Sequence, residues 1–124
     1  MLRPGGTLAA NDWVREWDGP PSEEMAKHHE MSGLTYNWAT TKQTADDLAD
    51  TGFVNVALTG RHQWLLEHFR ADIERLKVGP DRERLFQSFD TEAADSRLRG
   101  WQRMASMADR GETGAIHIRA TKST

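Results

Sequence analysis

Asp12 and Trp13 stand side by side where a short apolar run, Thr7-Leu8-Ala9-Ala10, turns polar. If that run is a strand, the pair lies at its carboxyl end, where open α/β sheets place ligands. A carboxylate there can accept a hydrogen bond from an amine, and an indole face attracts a cationic nitrogen. Tyr36 adds a neutral phenol donor from a loop, suited to an anion in a partly dry pocket. The plainer reading of the three is a turn aspartate, a core tryptophan and a packing tyrosine.

Other chemistries find little footing. His28 and His29 are adjacent, so on a helix they point about 100° apart and cannot share one metal. His62 and His68 are also badly spaced, and no H-E-x-x-H occurs. No metal site is expected. The chain has no cysteine, which excludes a disulfide framework, a thiolate metal site and a cysteine nucleophile. No G-x-S-x-G marks a serine nucleophile. Glu23-Glu24 and Asp46-Asp47 read as helix carboxylates, and the stretch Arg97 to Arg103 reads as a solvated helix face with Trp101 turned inward.

With 124 residues the chain has room for one domain, 1–124. A hydrophobic share of 37% against 28% charged is that of a globular protein. A net charge of -3 with no basic block argues against a nucleic-acid footprint. No long apolar run suggests a membrane span, and no leader is visible, so a cytoplasmic home is expected.

Three strands and five helices must position these residues. The turn Arg3-Pro4-Gly5-Gly6 leads into a strand near 7–12. Ser22 caps a helix over about 23–31, ended by Ser32-Gly33. Thr40 and Gln43 form a T-x-x-Q capping box for the next helix, whose stripe is Ala45, Leu48 and Ala49 and whose stop is Gly52. A strand follows near 53–59. Leu65, Phe69, Ile73 and Leu76 lie on one face of a helix over 62–78, stopped by Gly79-Pro80. Helices over about 81–88 and 92–109 come next, the latter with Leu98, Trp101, Ala105 and Ala108 on one stripe. The last strand, near 114–120, alternates polar and apolar residues.

Met1 to Leu8 resembles the L-[KR]-P-G-G-x-[LV] segment before the fifth strand of class I S-adenosylmethionine-dependent methyltransferases. Asn11-Asp12-Trp13, the capped helix with its Gly-Phe-x-x-Val strand, and Gly100-Trp101 before a closing Gly114–Lys122 strand extend the likeness over essentially all the chain. The closing segments are most similar to phosphoethanolamine N-methyltransferases. The resemblance implies an α/β fold: a partial Rossmann-like sheet of about three strands with several helices. The last strand would lie antiparallel between the other two, as the C-terminal, substrate-side portion of a methyltransferase.

The same resemblance implies a small-molecule methyl acceptor, such as a phosphobase amine, with Asp12, Trp13 and Tyr36 meeting as its substrate-binding residues. The tyrosine of that family contacts the substrate phosphate. Its companion cations do not carry over, because Leu34 and Met104 stand in their places, and the tyrosine that the family has earlier is also absent, the region reading His28-His29-Glu30. The glycine-rich cofactor loop and the catalytic pair of the family belong to its other half and find no match here. S-adenosyl-L-methionine is the expected cofactor of the complete enzyme, with none expected on this chain alone. The chain is then expected to be a fragment, a split gene product or a protein with a misassigned start. It would be inactive alone and inclined to self-associate through an exposed sheet edge. An alternative is a non-catalytic interaction domain, or a relic that pairs with a separate cofactor-binding chain.

Overall fold

A computed structural model describes residues 2–34 and 37–124. The elements run β1 (Thr7–Val14), α1 (Glu23–Ser32), α2 (Thr41–Asp50), β2 (Phe53–Gly60), α3 (His62–Arg75), α4 (Pro80–Ser88), α5 (Thr91–Asp109) and β3 (Gly114–Lys122). The sheet order is β1-β3-β2, and β3 is antiparallel to both neighbours. This is the α/β arrangement expected from the sequence.

Local chemistry explains the boundaries. The Thr40 hydroxyl accepts from the Gln43 N–H at 3.1 Å, and the Gln43 side chain accepts from the Thr40 N–H at 2.9 Å. The capping box therefore opens α2 as expected. In α1 the Ser22 hydroxyl accepts from the Met25 N–H, and Gly33 takes the left-handed conformation that ends the helix. Helix α3 is shorter than its apolar spacing suggests. Its last turn tightens, with the Lys77 N–H reaching the Glu74 carbonyl at 3.2 Å, and Leu76 becomes the C-cap. Strand β2 carries an irregularity between Val54 and Ala57, where Asn55 adopts a positive φ of 51°. Asparagine tolerates that region better than most residues.

The sheet buries one face. Val14 and Ile116 are fully buried and Ile118 nearly so, with Leu8, Ala10, Leu48 and Leu58 packed around them. Burying each large aliphatic contributes about 1.5–3 kcal/mol. On β3 the alternate residues His117 and Arg119 remain exposed. Helix α5 packs on α3, α1 and α4 and then feeds directly into β3. Among the described residues no helix is long and apolar enough to cross a membrane.

A polar network locks the junction between α5 and β3 to α1. The Glu112 carboxylate is 4% exposed and accepts from the Ser22 hydroxyl at 2.8 Å and from Arg110 Nε at 2.8 Å. Arg110 also reaches Glu24 at 2.8 Å. Burial pushes the Glu112 carboxyl up, but the hydrogen bonds from Arg110 and Ser22 outweigh it and hold the group below the ordinary carboxylate value. A depressed native pKa gives stability that is complete above the unfolded carboxylate range and lost as pH falls through the native value. Glu112→Gln should lower stability near neutral pH by about 1–3 kcal/mol. Melting curves should show the variant losing less further stability than the wild type as the solution is acidified below about pH 4.3, the ordinary glutamate value. Parallel acid profiles for the two proteins would contradict this role.

Candidate active-site cleft

Strand β1 runs on through Asp12 and Trp13 to Val14, and this decides where the two side chains go. Successive residues of a strand point to opposite faces. Asp12 lies opposite Ile116 and Trp13 opposite Ala115, so the two share no face. The Asp12 carboxylate turns back to accept from the Trp13 N–H at 2.8 Å. The Trp13 ring stacks on Trp38 with centroids 5.9 Å apart and on Phe69 at 6.5 Å. Tyr36 lies outside the described residues.

Phe69 links that aromatic stack to a cavity of about 620 Å³ between α1 and α5. Its apolar wall includes Phe69, Trp101, Met31 and Met104. Its polar groups are His28, Ser32, Ser96, Arg97 and Arg103. None of the described lining residues is acidic. The Arg103 Nε is buried with no hydrogen-bond partner among the described residues, and no described carboxylate forms an ion pair with this guanidinium. The Arg97 guanidinium lies 4.0 Å from the centre of the Phe89 ring, which holds it at the rim by cation–π attraction. The Trp101 indole N–H donates to Asp72 at 3.4 Å, anchoring that wall to α3.

The arginines are where the structure departs from the sequence reading. Arg97 to Arg103 is not only a solvated face. Ala93, Arg97, Gly100 and Met104 recur at helical spacing, and that stripe, with Arg103 beside it, turns toward α1. Gly100 leaves the groove open, its missing Cβ coming no nearer than 3.8 Å to Arg103. His28 is buried against the cavity.

A second polar cluster sits at the end of the sheet. His62 Nδ1 accepts from the Ala115 N–H at 3.2 Å, and Nε2 donates to Glu16 at 3.0 Å. One ring nitrogen thus ties α3 to β3 and the other ties it to the segment after β1, and neither is free to act as a base. Gly114 is needed beneath the ring, since a Cβ there would lie 2.1 Å from His62 Nδ1. Among the described residues no group of three metal-ligating side chains comes together.

In solved structures this fold recurs. The chain matches Haemonchus contortus phosphoethanolamine N-methyltransferase 2, in complex with phosphomonomethylethanolamine and S-adenosylhomocysteine, at 20% identity with a TM-score of 0.83. The match covers 99% of this chain and 28% of that one. The same enzyme in complex with S-adenosyl-L-methionine gives a TM-score of 0.82 at 20% identity, over 99% of this chain and 27% of that one. The chain has the fold of part of a methyltransferase. A protein from Galdieria sulphuraria described as a sarcosine dimethylglycine methyltransferase gives 0.76 at 18% identity, over 98% of this chain and 43% of that one. No protein-family model matches the chain, and no curated protein matches it.

Burial, then the positive charges of Arg103 and His29, hold the His28 imidazole below its ordinary value. It is therefore neutral at pH 7. In a ring-proton NMR titration His28 should protonate below the ordinary histidine value of about 6.5. Arg103→Gln should move that midpoint upward. An unmoved midpoint would separate His28 from the arginine's field.

Proposed function

We propose that this methyltransferase-like chain provides the acceptor side of S-adenosylmethionine-dependent methyl transfer, holding a small amine that carries an anionic group in the α1–α5 cleft. The observation that carries this reading is a cavity with arginines and aromatic walls but no acidic lining among the described residues. Arg103 and Arg97 take the anion by charge-assisted hydrogen bonds, in place of the cations whose positions Leu34 and Met104 fill. Neutral His28 adds a ring nitrogen without adding charge. Phe69, Trp101 and Met104 exclude water, which strengthens those contacts.

S-adenosylmethionine would supply the methyl group, as an electrophilic sulfonium. The chain's own residues do not fit that cofactor. Gly5 and Gly6 turn into strand β1, while Gly79 precedes α4 but follows α3 rather than a strand. Gly60 does stand between strand β2 and helix α3, but it is a lone glycine followed by Arg61 and His62 and not the G-x-G-x-x-G turn that cradles such a ligand. The chain's part is therefore binding and orientation of the amine, and the cofactor is held by residues outside it. Trp13, tied by its ring contacts to Trp38 and Phe69, shapes the entry to the cleft. Asp12 shapes the backbone of β1.

Calorimetry on the 124-residue chain distinguishes the parts of this reading. Phosphoethanolamine should bind and ethanolamine, which lacks the phosphate, should bind at least tenfold more weakly. Arg103→Gln should weaken phosphoethanolamine by roughly tenfold to a hundredfold, as losing a charged hydrogen bond of about 1.5–3 kcal/mol requires. Equal affinities for the two amines, or an Arg103 variant that binds like the wild type, would overturn it.

A further inference from the structure

Helix α1 turns one stripe inward, and helical spacing shows what lies on it. Met25 is buried, His28 follows at 9% exposed, and Ser32 comes next at the cavity wall. Met25 fills its place by packing alone. His28 puts a titratable ring where an apolar side chain would pack equally well. The ring borders the same cavity as Arg97 and Arg103 of α5. Two permanent cations and one titratable base therefore surround one space.

The charges that act on this ring come from both helices. Burial already disfavours a proton on His28, and two neighbours add to it. Arg103 opposes the proton from α5, and His29 opposes it from the next position of α1. Arg97 stands at the rim over the Phe89 ring. Glu24, one turn earlier on α1, is committed to Arg110 at 2.8 Å. Lys27 and Glu30 are exposed on either side of the inward stripe. The α3 side chain at the cavity is Phe69, which carries no charge. The cleft thus holds positive charge, with no acidic side chain among its described lining residues.

We propose that His28 is the third, proton-dependent cation of this anion site: its ring is neutral in the empty cleft and takes one proton from solvent when an anion enters. This rests on the reading of the cleft as an anion site. An anion held by Arg103 and Arg97 cancels the field that opposes the proton and attracts the proton itself. The imidazolium then donates from its nitrogens and adds a charge-assisted hydrogen bond to those of the arginines. Protonation and anion binding favour each other by the same factor. An upward move of about one pKa unit at His28 on binding makes the ligand about tenfold tighter in acid than in alkali. The sign follows from the two states. The gain is complete below the midpoint of the empty cleft, and it is lost as pH rises through the higher midpoint of the occupied one.

The probe is 2-aminoethyl sulfate, an amine whose sulfate holds one negative charge throughout the interval of about pH 5 to 8 in which histidine titrates. Any proton taken up within that interval then belongs to the protein. Calorimetry on the 124-residue chain, in two buffers of different ionisation enthalpy, counts those protons. Between the two midpoints binding should take up most of one proton, and affinity should rise about tenfold from pH 8 to pH 5. His28→Gln should bind with no uptake and a flat pH profile, while His29→Gln should keep both effects. Ring-proton NMR on the wild-type chain needs no variant to fold. The His28 midpoint should move up by about one unit at saturating probe. Binding without proton uptake, or an unmoved His28 midpoint at saturation, would overturn the role of His28 and leave the anion site standing. Uptake that persists in His28→Gln would overturn it too. No binding at any pH would remove the anion site, and this role with it.

Discussion

Everything in this molecule hangs on β3, the last strand in the chain and the middle strand in the sheet. Strands β1 and β2 share no pairing; each is joined to the sheet only through β3. The buried residues Ile116 and Ile118 belong to β3, and the apolar residues of both neighbours close over them. The core therefore completes only after the final segment is in place. Pairing the first strand with the last also means closing nearly the whole chain as a loop, which favours slow, late docking of β3.

The cleft inherits its geometry from that strand. Helix α5 runs into β3 through Glu112, whose carboxylate is tied to Arg110 and to Ser22 at the start of α1. The same network thus sets the angle at which α1 and α5 face each other, and the space between them is the cavity. A buried carboxylate at the base of the two helices and unpaired guanidinium character at their open middle divide the labour. The first charge is committed to structure, and the second is the one that the proposed reading assigns to the acceptor's anion.

How far the sequence carries depends on the kind of signal. Caps and strand periods are local, and they locate α1, α2 and all three strands. Which strands pair is not written in any period, and the order β1-β3-β2 comes from the methyltransferase resemblance. The opposed faces of Asp12 and Trp13 are a direct consequence of strand period, hidden because the strand was expected to end near residue 12. Arg97 is legible only as part of the stripe Ala93, Arg97, Gly100 and Met104, and Arg103 only as its neighbour. Charged side chains are so often solvated that composition alone hides such a stripe. The Ser22–Glu112 contact joins residues 90 positions apart, and no local rule shows it.

The account's central claim is that the α1–α5 cleft, not the Asp12 end of β1, receives the acceptor. Amide chemical-shift mapping on the isotope-labelled chain, titrated with phosphoethanolamine, addresses it directly. The account predicts saturable shifts concentrated on α1 near His28 and on α5 from Ala93 to Met104, with the Arg103 side-chain Nε signal moving most. Shifts confined to Asp12, Trp13 and their neighbours, with both helices unmoved, would contradict it.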